Sequence, residues 1–358
     1  MDGGRYPKAA PVALTQQPGQ RIGEGERRRL LWSQISFTVI QSTAPEEEAP
    51  AAMSANSLLQ QLGLWSIARY AQRAILFGAL PTRDGARFLG RGRLFVSPRD
   101  NRGLRLRRHV GVLQPLVTFT WRRIIELIQP SAVIDIGANY GEVTFCARYP
   151  RLAEIYVIEP NPHLLPYLER SRAAHRDGGR MHLVDRVASD RSGDVVFTVD
   201  EKWSGTSSAI GQIEDPTSRF KGQGPERFCE LHVEAIRIDD LLTGLSADRL
   251  CNLAIKIDVE GYEGRVLQGM TGALRRAGRF LGIVEFDADN LQRAGTSPAE
   301  VLARMRALGT VASFGHDGQL VVVESSEPPA SHCDLILTSD PLLLPALTVP
   351  GRLRRYIH

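Results

Sequence analysis

Cysteine is scarce in this chain, and what there is lies scattered. Cys146, Cys229, Cys251 and Cys333 show no C-x-x-C spacing and no His-rich neighbour, which argues against a zinc site and a disulfide framework and for a reduced, cytoplasmic setting. No basic stretch followed by an apolar one opens the sequence, so no secretory signal is read. No run long enough to span a bilayer is free of charge: Ser57 to Leu80 carries Arg69 and Arg73 near its middle, which favours a packing or surface helix over a transmembrane one. A net charge of +4 is too mild to call for nucleic acid.

What is present is a chain of 358 residues, 43% hydrophobic, enough for one large α/β domain with appendages. Residues 1–56 mix Gly, Pro and Gln with charge clusters, the composition of a disordered leader; Met53, just before the first helical pattern, is an alternative start. Residues 57–113 read as an amphipathic helix followed by a β-hairpin in "GRLFVSPRDNRGLRLRRHV". Pro81 to Val110 holds nine arginines against Asp84 and Asp100. This is either a solvated face or a docking surface for an anionic partner. From residue 114 to 340 helices alternate with Val/Ile/Leu-rich strands, ending in closely spaced strands. The pattern predicts a mostly parallel sheet covered on both faces, with an antiparallel edge. Residues 341–358 form a tail.

In such a sheet, ligands sit at the carboxyl ends of the strands. The first strand ends in Asp135-Ile-Gly137-Ala138-Asn139-Tyr-Gly141, a glycine turn that lacks G-x-G-x-x-G. That departure argues against a nicotinamide-dependent oxidoreductase. Asp135 would repel phosphate but suits an ammonium group, met directly or through water. Glu159-Pro160 ends the next strand, where a carboxylate accepts ribose hydroxyls. S-adenosylmethionine, a nucleoside with an ammonium-bearing arm and no phosphate, fits both acids. In "LAIKIDVEGYEG", alternation puts Lys256, Asp258 and Glu260 on one strand face. Such a row is either a structural ion pair or a catalytic group beside the ligand.

The motifs "DIGANYGEVT", "VIEPNP", "VASDRSGDVVF", "IRIDDLL" and "IKIDVEGYEGRVLQGM" together resemble the FkbM family of S-adenosylmethionine-dependent methyltransferases, over roughly residues 114–338. The resemblance implies a class I methyltransferase (Rossmann-like) fold, a seven-stranded sheet with one antiparallel strand, and methyl transfer to a hydroxyl oxygen of a small-molecule or sugar-bearing acceptor. Carried over by motif, Asp135, Gly137, Ala138, Asn139 and Gly141 form the cofactor turn. Glu159, with Pro160, holds the ribose, and the segment from Asp185 and Arg186 to Ala188 flanks the adenine. Tyr140 and Tyr262 stand where smaller residues are common in the family.

Asp258 is the first candidate for the general base, Glu260 the second, and Lys256 the residue that tunes them. Asp258, Glu260 and Glu285 also suit Mg²⁺ as clustered carboxylates do, but nothing in the sequence requires an ion and none is assigned. Trp203, in the polar stretch Glu201 to Cys229, is either a sugar-stacking platform or a cover on the core edge. His316 reads as a turn residue rather than a base. The remaining rival is a module that binds the cofactor without transfer, against which the Lys256-Asp258-Glu260 row argues.

Overall fold

The computed structural model describes residues 65–212, 227–329 and 332–357. The segment read as a leader, the first turns expected from Ser57 and the middle of the polar stretch lie outside them. Among the described residues no helix is long and apolar enough to cross a membrane.

The described residues open with helix α1 (Trp65–Phe77), then a three-stranded antiparallel sheet, β1 (Ala79–Thr82), β2 (Gly85–Phe88) and β3 (Gly92–Phe95). The predicted hairpin is only half right. Its second run, "NRGLRLRR", is helix α2 (Asn101–Arg108), because Asp100 caps it through bonds accepted from the Arg102 and Gly103 amides. A side-chain cap of this kind satisfies donors that a strand would have paired elsewhere. Helix α3 (Pro115–Ile128) follows, begun by proline at its first position.

The main sheet contains β4 (Ala132–Ile136), β5 (Glu154–Ile158), β6 (Met181–Val184), β10 (Asn252–Ile257), β11 (Arg279–Phe286), β12 (Thr310–Phe314), β13 (Leu320–Val322) and β14 (Cys333–Thr338). A separate small sheet pairs β7 (Val187–Ala188), β8 (Gly193–Asp200) and β9 (Phe228–Ile236) in the order β7-β9-β8. The main order is β6-β5-β4-β10-β11-β14-β12-β13. The α/β class I methyltransferase fold is therefore present, and its expected antiparallel edge is β13, which runs antiparallel to β12. Two details differ: β13 makes an eighth strand, and a second antiparallel strand, β14, is interior, inserted between β11 and β12, because the chain turns back across the sheet after β13.

Two apolar layers cover the sheet. Alternation sends Val133, Ala254 and Ile283 to the side of Trp121, Ile124 and Ile128 of α3, whereas Ile134, Ile136, Ile255 and Ile257 face Val266 and Leu267. Residues Phe77, Phe88, Leu94 and Leu106 share the α3-side core, so the N-terminal elements are packed onto the sheet. The tail closes over the same side in two 3₁₀ segments, Pro341–Leu347 and Gly351–Tyr356, burying Leu347 and Leu353. The helix expected at Asn161 begins later, at Leu165, since the Asn161 side chain accepts the His163 amide in a local turn.

Asp100 joins three parts of this fold. Besides capping α2, it accepts bonds from the Tyr140 hydroxyl at 2.8 Å, the Ser204 amide at 3.2 Å and the Ser204 hydroxyl at 2.7 Å. Replacement by alanine removes a helix cap (~1 kcal/mol) and strands buried donors (about 1–3 kcal/mol). We expect Asp100→Ala to lose roughly 2–4 kcal/mol in urea unfolding; an unchanged midpoint would show that these bonds are replaced by water.

Candidate active site

Strand order reverses between β4 and β10: the chain runs outward through β5 and β6 on one side and through β11 on the other. At such a switch point the loops leaving the two strands diverge and open a crevice. Here the crevice is a cavity of about 960 Å³, within the usual size of ligand sites.

The floor beneath it is built around Lys256. The register of β10 on β4 sets Lys256 directly beside Asp135, and the ammonium lies 3.3 Å from Asp135 Oδ1, 3.3 Å from Asp258 Oδ2 and 3.3 Å from the Gly137 carbonyl oxygen. Lys256 is only 3% exposed and Asp135 is fully buried. Burial opposes the ammonium charge, but the carboxylates of Asp135, Asp258 and Glu142 outweigh it and raise its pKa. Asp135 accepts a further 2.6 Å bond from the Thr144 hydroxyl. Neither Asp135 nor Lys256 lines the cavity; both lie below its surface. Their role is thus internal, and direct contact of Asp135 with a ligand ammonium is not the arrangement seen.

Gly137 (φ +74°) and Asn139 (φ +52°) turn the chain out of β4 in left-handed conformations, which glycine and asparagine tolerate best. A Cβ at Gly137 would stand 1.8 Å from the Asp258 carbonyl oxygen, so this glycine lets the two strand-end loops touch. Glu159, at the end of β5, accepts the Asn139 amide at 2.7 Å on one oxygen and the Asn161 amide at 2.9 Å on the other. Burial pushes its carboxyl up to about 7, against the pull of these two amides. Gly137, Asn139, Glu159 and Pro160 line the cavity, as do Arg186 and Ala188; Ala138, Gly141 and Asp185 do not. Asp185 is exposed, and Gly141 instead caps a single helical turn, Glu142–Phe145. Glu142 in that turn is buried and paired with Arg102 at 2.6 Å.

The opposite end is acidic. The β10 strand stops at Ile257, so the expected alternation does not extend to Asp258 and Glu260, yet both line the cavity. Glu260 is in the left-handed region at φ +55°, a conformation that costs a side chain of this kind about 1–3 kcal/mol. It is held by the Ser208 hydroxyl on its carbonyl at 3.0 Å and by Asn290 Nδ2 on its carboxylate at 3.3 Å. Glu263 stabilises the same loop, accepting the Val259 amide at 3.1 Å and the Gly261 amide at 3.2 Å. Glu285 adds a third cavity carboxylate from β11. Burial and the proximity of Asp258 push both Glu260 and Glu285 well up. Burial acts the same way on Asp258, but Lys256, the contact with Glu285, and Arg102 together hold it below its ordinary value.

Sequence reading missed the wall supplied by α2 and the residue after it, Arg102, Arg105 and His109. Their spacing after the Asp100 cap was the available signal, hidden by reading the segment as a hairpin. Trp203 lines the cavity with the Arg105 guanidinium 5.7 Å from its ring, whereas His316 is exposed and away from it. Asp287, Asn290 and His332 were also unforeseen; they follow β11 or precede β14, strand ends that carried no motif.

Residues 135–311 match the family described as Methyltransferase FkbM domain, which bears out the resemblance read from the motifs over that segment. No curated protein matches the chain. Among solved structures, the chain is similar to methyltransferase FkbM from Methylobacillus flagellatus KT, with 15% identity, a TM-score of 0.32 and coverage of 58% of this chain and 44% of that one. The chain thus spans less than half of that protein's length. Precorrin-6y C5,15-methyltransferase from Geobacter metallireducens GS-15 is similar at 13% identity and TM-score 0.30, covering 62% and 85% of the two chains. An S-adenosylmethionine-dependent methyltransferase from Agrobacterium tumefaciens is similar at 9% identity and TM-score 0.32, covering 74% and 69%.

Removing the ammonium while keeping its bulk isolates the electrostatic floor. Lys256→Met leaves Asp135 buried without its counter-charge, a change that typically costs about 3–5 kcal/mol. Denaturant unfolding should register that loss; a variant as stable as the parent would mean that Asp135 takes up a proton at little cost.

Proposed function

We propose, with the methyltransferase match over residues 135–311 as premise, that this chain transfers the methyl group of S-adenosylmethionine to a hydroxyl oxygen of a small-molecule acceptor, with a sugar-bearing acceptor preferred. The observation that carries the reading is continuity: one cavity joins Glu159 and the glycine turn to Asp258 and Glu260. The donor set also fits a cofactor without phosphate. Two buried acids, Asp135 and Glu142, underlie the turn where a dinucleotide site would present amides to pyrophosphate.

S-adenosylmethionine, when bound, supplies a methyl group on a sulfonium, activated for in-line displacement. Every other task falls to the chain. Glu159 accepts the ribose hydroxyls through the lone pairs that its two amide bonds leave over, and Gly137 and Asn139 form the adjoining wall. Pro160, Arg186 and Ala188 flank the base. Asp135 and Lys256 are positioning residues: they fix the Gly137 carbonyl and the Asp258 carboxylate from below. Asp258 takes the acceptor proton, with Glu260 as the second choice; a base of this kind contributes about 10²–10⁴ in rate. Holding the acceptor oxygen in line is worth up to roughly 7–11 kcal/mol. Trp203 offers the apolar face of a sugar a stacking surface on the α2 side. The four free cysteines support a reduced, cytoplasmic setting.

Incubation with isotopically labelled S-adenosylmethionine and a cell extract, followed by identification of the labelled product, tests the reading as a whole. A label on nitrogen or carbon would remove the hydroxyl assignment. Asp258→Asn should retain S-adenosylhomocysteine binding and lower kcat by about 10²–10⁴, and an unaffected kcat in the folded variant removes it as base.

Glu159→Ala should weaken S-adenosylhomocysteine binding by about 1.5–3 kcal/mol in calorimetry. The pH dependence has a definite sign. Glu159 titrates near 7 in the free protein, and ribose hydroxyls donate to its ionised form. Affinity should therefore be full at about pH 8.5 and fall as pH drops through about 7, a dependence that Glu159→Gln abolishes.

A further inference from the structure

The acidic end of the cavity contains more carboxylate than proton removal requires. Oxygen atoms of Asp258, Glu260 and Glu285 lie within 4.8 Å of one another. Oxygens around a hard cation at 2.1–2.6 Å are separated by about 3–5 Å, so side-chain adjustments alone would complete a shell. An independent observation concerns Glu285 itself. Its side chain is 7% exposed, it faces the cavity, and no donor in the described protein reaches its Oε2. The close neighbour of Glu285 is Asp258, another acceptor, so the two can be joined only through a shared proton or a shared cation. His332 Nδ1, 3.6 Å from Glu285 Oε1, lies beyond hydrogen-bond distance and leaves the Oε2 side untouched.

Charge separates these choices. Asp258, Glu260 and Glu285 together carry three negative charges when ionised, and the Lys256 ammonium at 3.3 Å from Asp258 is shared with Asp135, also at 3.3 Å. The Arg102 guanidinium on the cavity wall is paired with Glu142 at 2.6 Å. In the ionised state the negative charge of the three carboxylates exceeds that of the shared ammonium, and all the offered atoms are carboxylate oxygens, the ligand type of Mg²⁺, Mn²⁺ and Ca²⁺ rather than of zinc or copper.

We propose that Asp258, Glu260 and Glu285 bind one hard divalent cation at the acceptor end of the cavity, with remaining coordination positions open to water or to hydroxyl oxygens of the acceptor. The inference rests on the proposed function for the identity of that acceptor, but the ion site stands on its own residues. It narrows the acceptor class to molecules that chelate, such as those with vicinal hydroxyls or a hydroxyl next to a carbonyl. Glu260, in its left-handed backbone conformation at φ +55°, contributes one of the three oxygens.

The test uses the full chain, stripped with chelator and titrated with MnCl₂, with free Mn²⁺ followed by electron paramagnetic resonance. The expected result is saturable binding of about one ion per chain, weakened at least tenfold in Glu285→Gln, with S-adenosylhomocysteine affinity unchanged. Mn²⁺ should also raise the unfolding temperature of the parent protein more than that of the variant. If Glu285→Gln fails to fold, Glu285→Asp keeps the charge, shortens the reach and should weaken binding by a smaller factor. No saturable Mn²⁺ binding by a parent protein that still binds S-adenosylhomocysteine would leave the shared proton as the explanation and overturn the proposal. Binding that is indifferent to both variants would place the ion elsewhere and overturn it equally. Loss of S-adenosylhomocysteine binding in the parent protein is a separate outcome and strikes only the cofactor reading.

Discussion

The buried ammonium of Lys256 is the constraint around which the site is arranged. It ties β4 to β10 at the one place where neighbouring strands send their loops in opposite directions. Without a cation there, Asp135 would be an ionised carboxylate in a fully buried position, and the Gly137 turn would lose a bond to its carbonyl. A hydrophobic pair could serve stability as well or better. What the ion pair adds is position, since a charge in low dielectric fixes where the Asp258 carboxylate must lie.

Above that floor the cavity has two different ends. At the β4–β5 end the polar work is done by a carboxylate held between two backbone amides and by a turn with little side chain. At the β10–β11 end, three carboxylates crowd around one lysine that Asp135 also shares. The first end presents acceptor oxygens; at the second, burial and mutual proximity push the carboxyls of Glu260 and Glu285 well up. Strain at Glu260 and the absence of a donor on Glu285 both fall at this second end, consistent with functional sites being where local rules are broken.

Much of this was legible in the sequence. Alternating runs such as "AVIDIG" and "IKIDVEG" specify buried parallel strands, and the ends of such strands are where ligands sit. Glu159 and Asp258 were found that way. Asp135 was also found, but its place under the surface depends on the register between β4 and β10, a long-range pairing that no local pattern encodes. The α2 helix was misread because its arginines and short apolar repeats fit either period, and only the Asp100 cap distinguishes them. Glu285 was visible as a strand-end acid, yet the absence of a donor on its Oε2 among the described residues depends on how β11 packs between β10 and β14. The eighth strand, β13, is three residues long and lies among the closely spaced late strands read as an antiparallel edge, whereas the resemblance implied only seven strands.

Arg102, Arg105 and His109 come from a segment that precedes the matched region, residues 135–311. On the proposed function the cofactor end is drawn from inside that region, whereas one wall of the same cavity is supplied from outside it and tied down by Asp100. On that same reading, substrate choice can drift while the transfer machinery stays fixed, and two chains identical from 135 to 311 but different in α2 would run the same chemistry behind different doors.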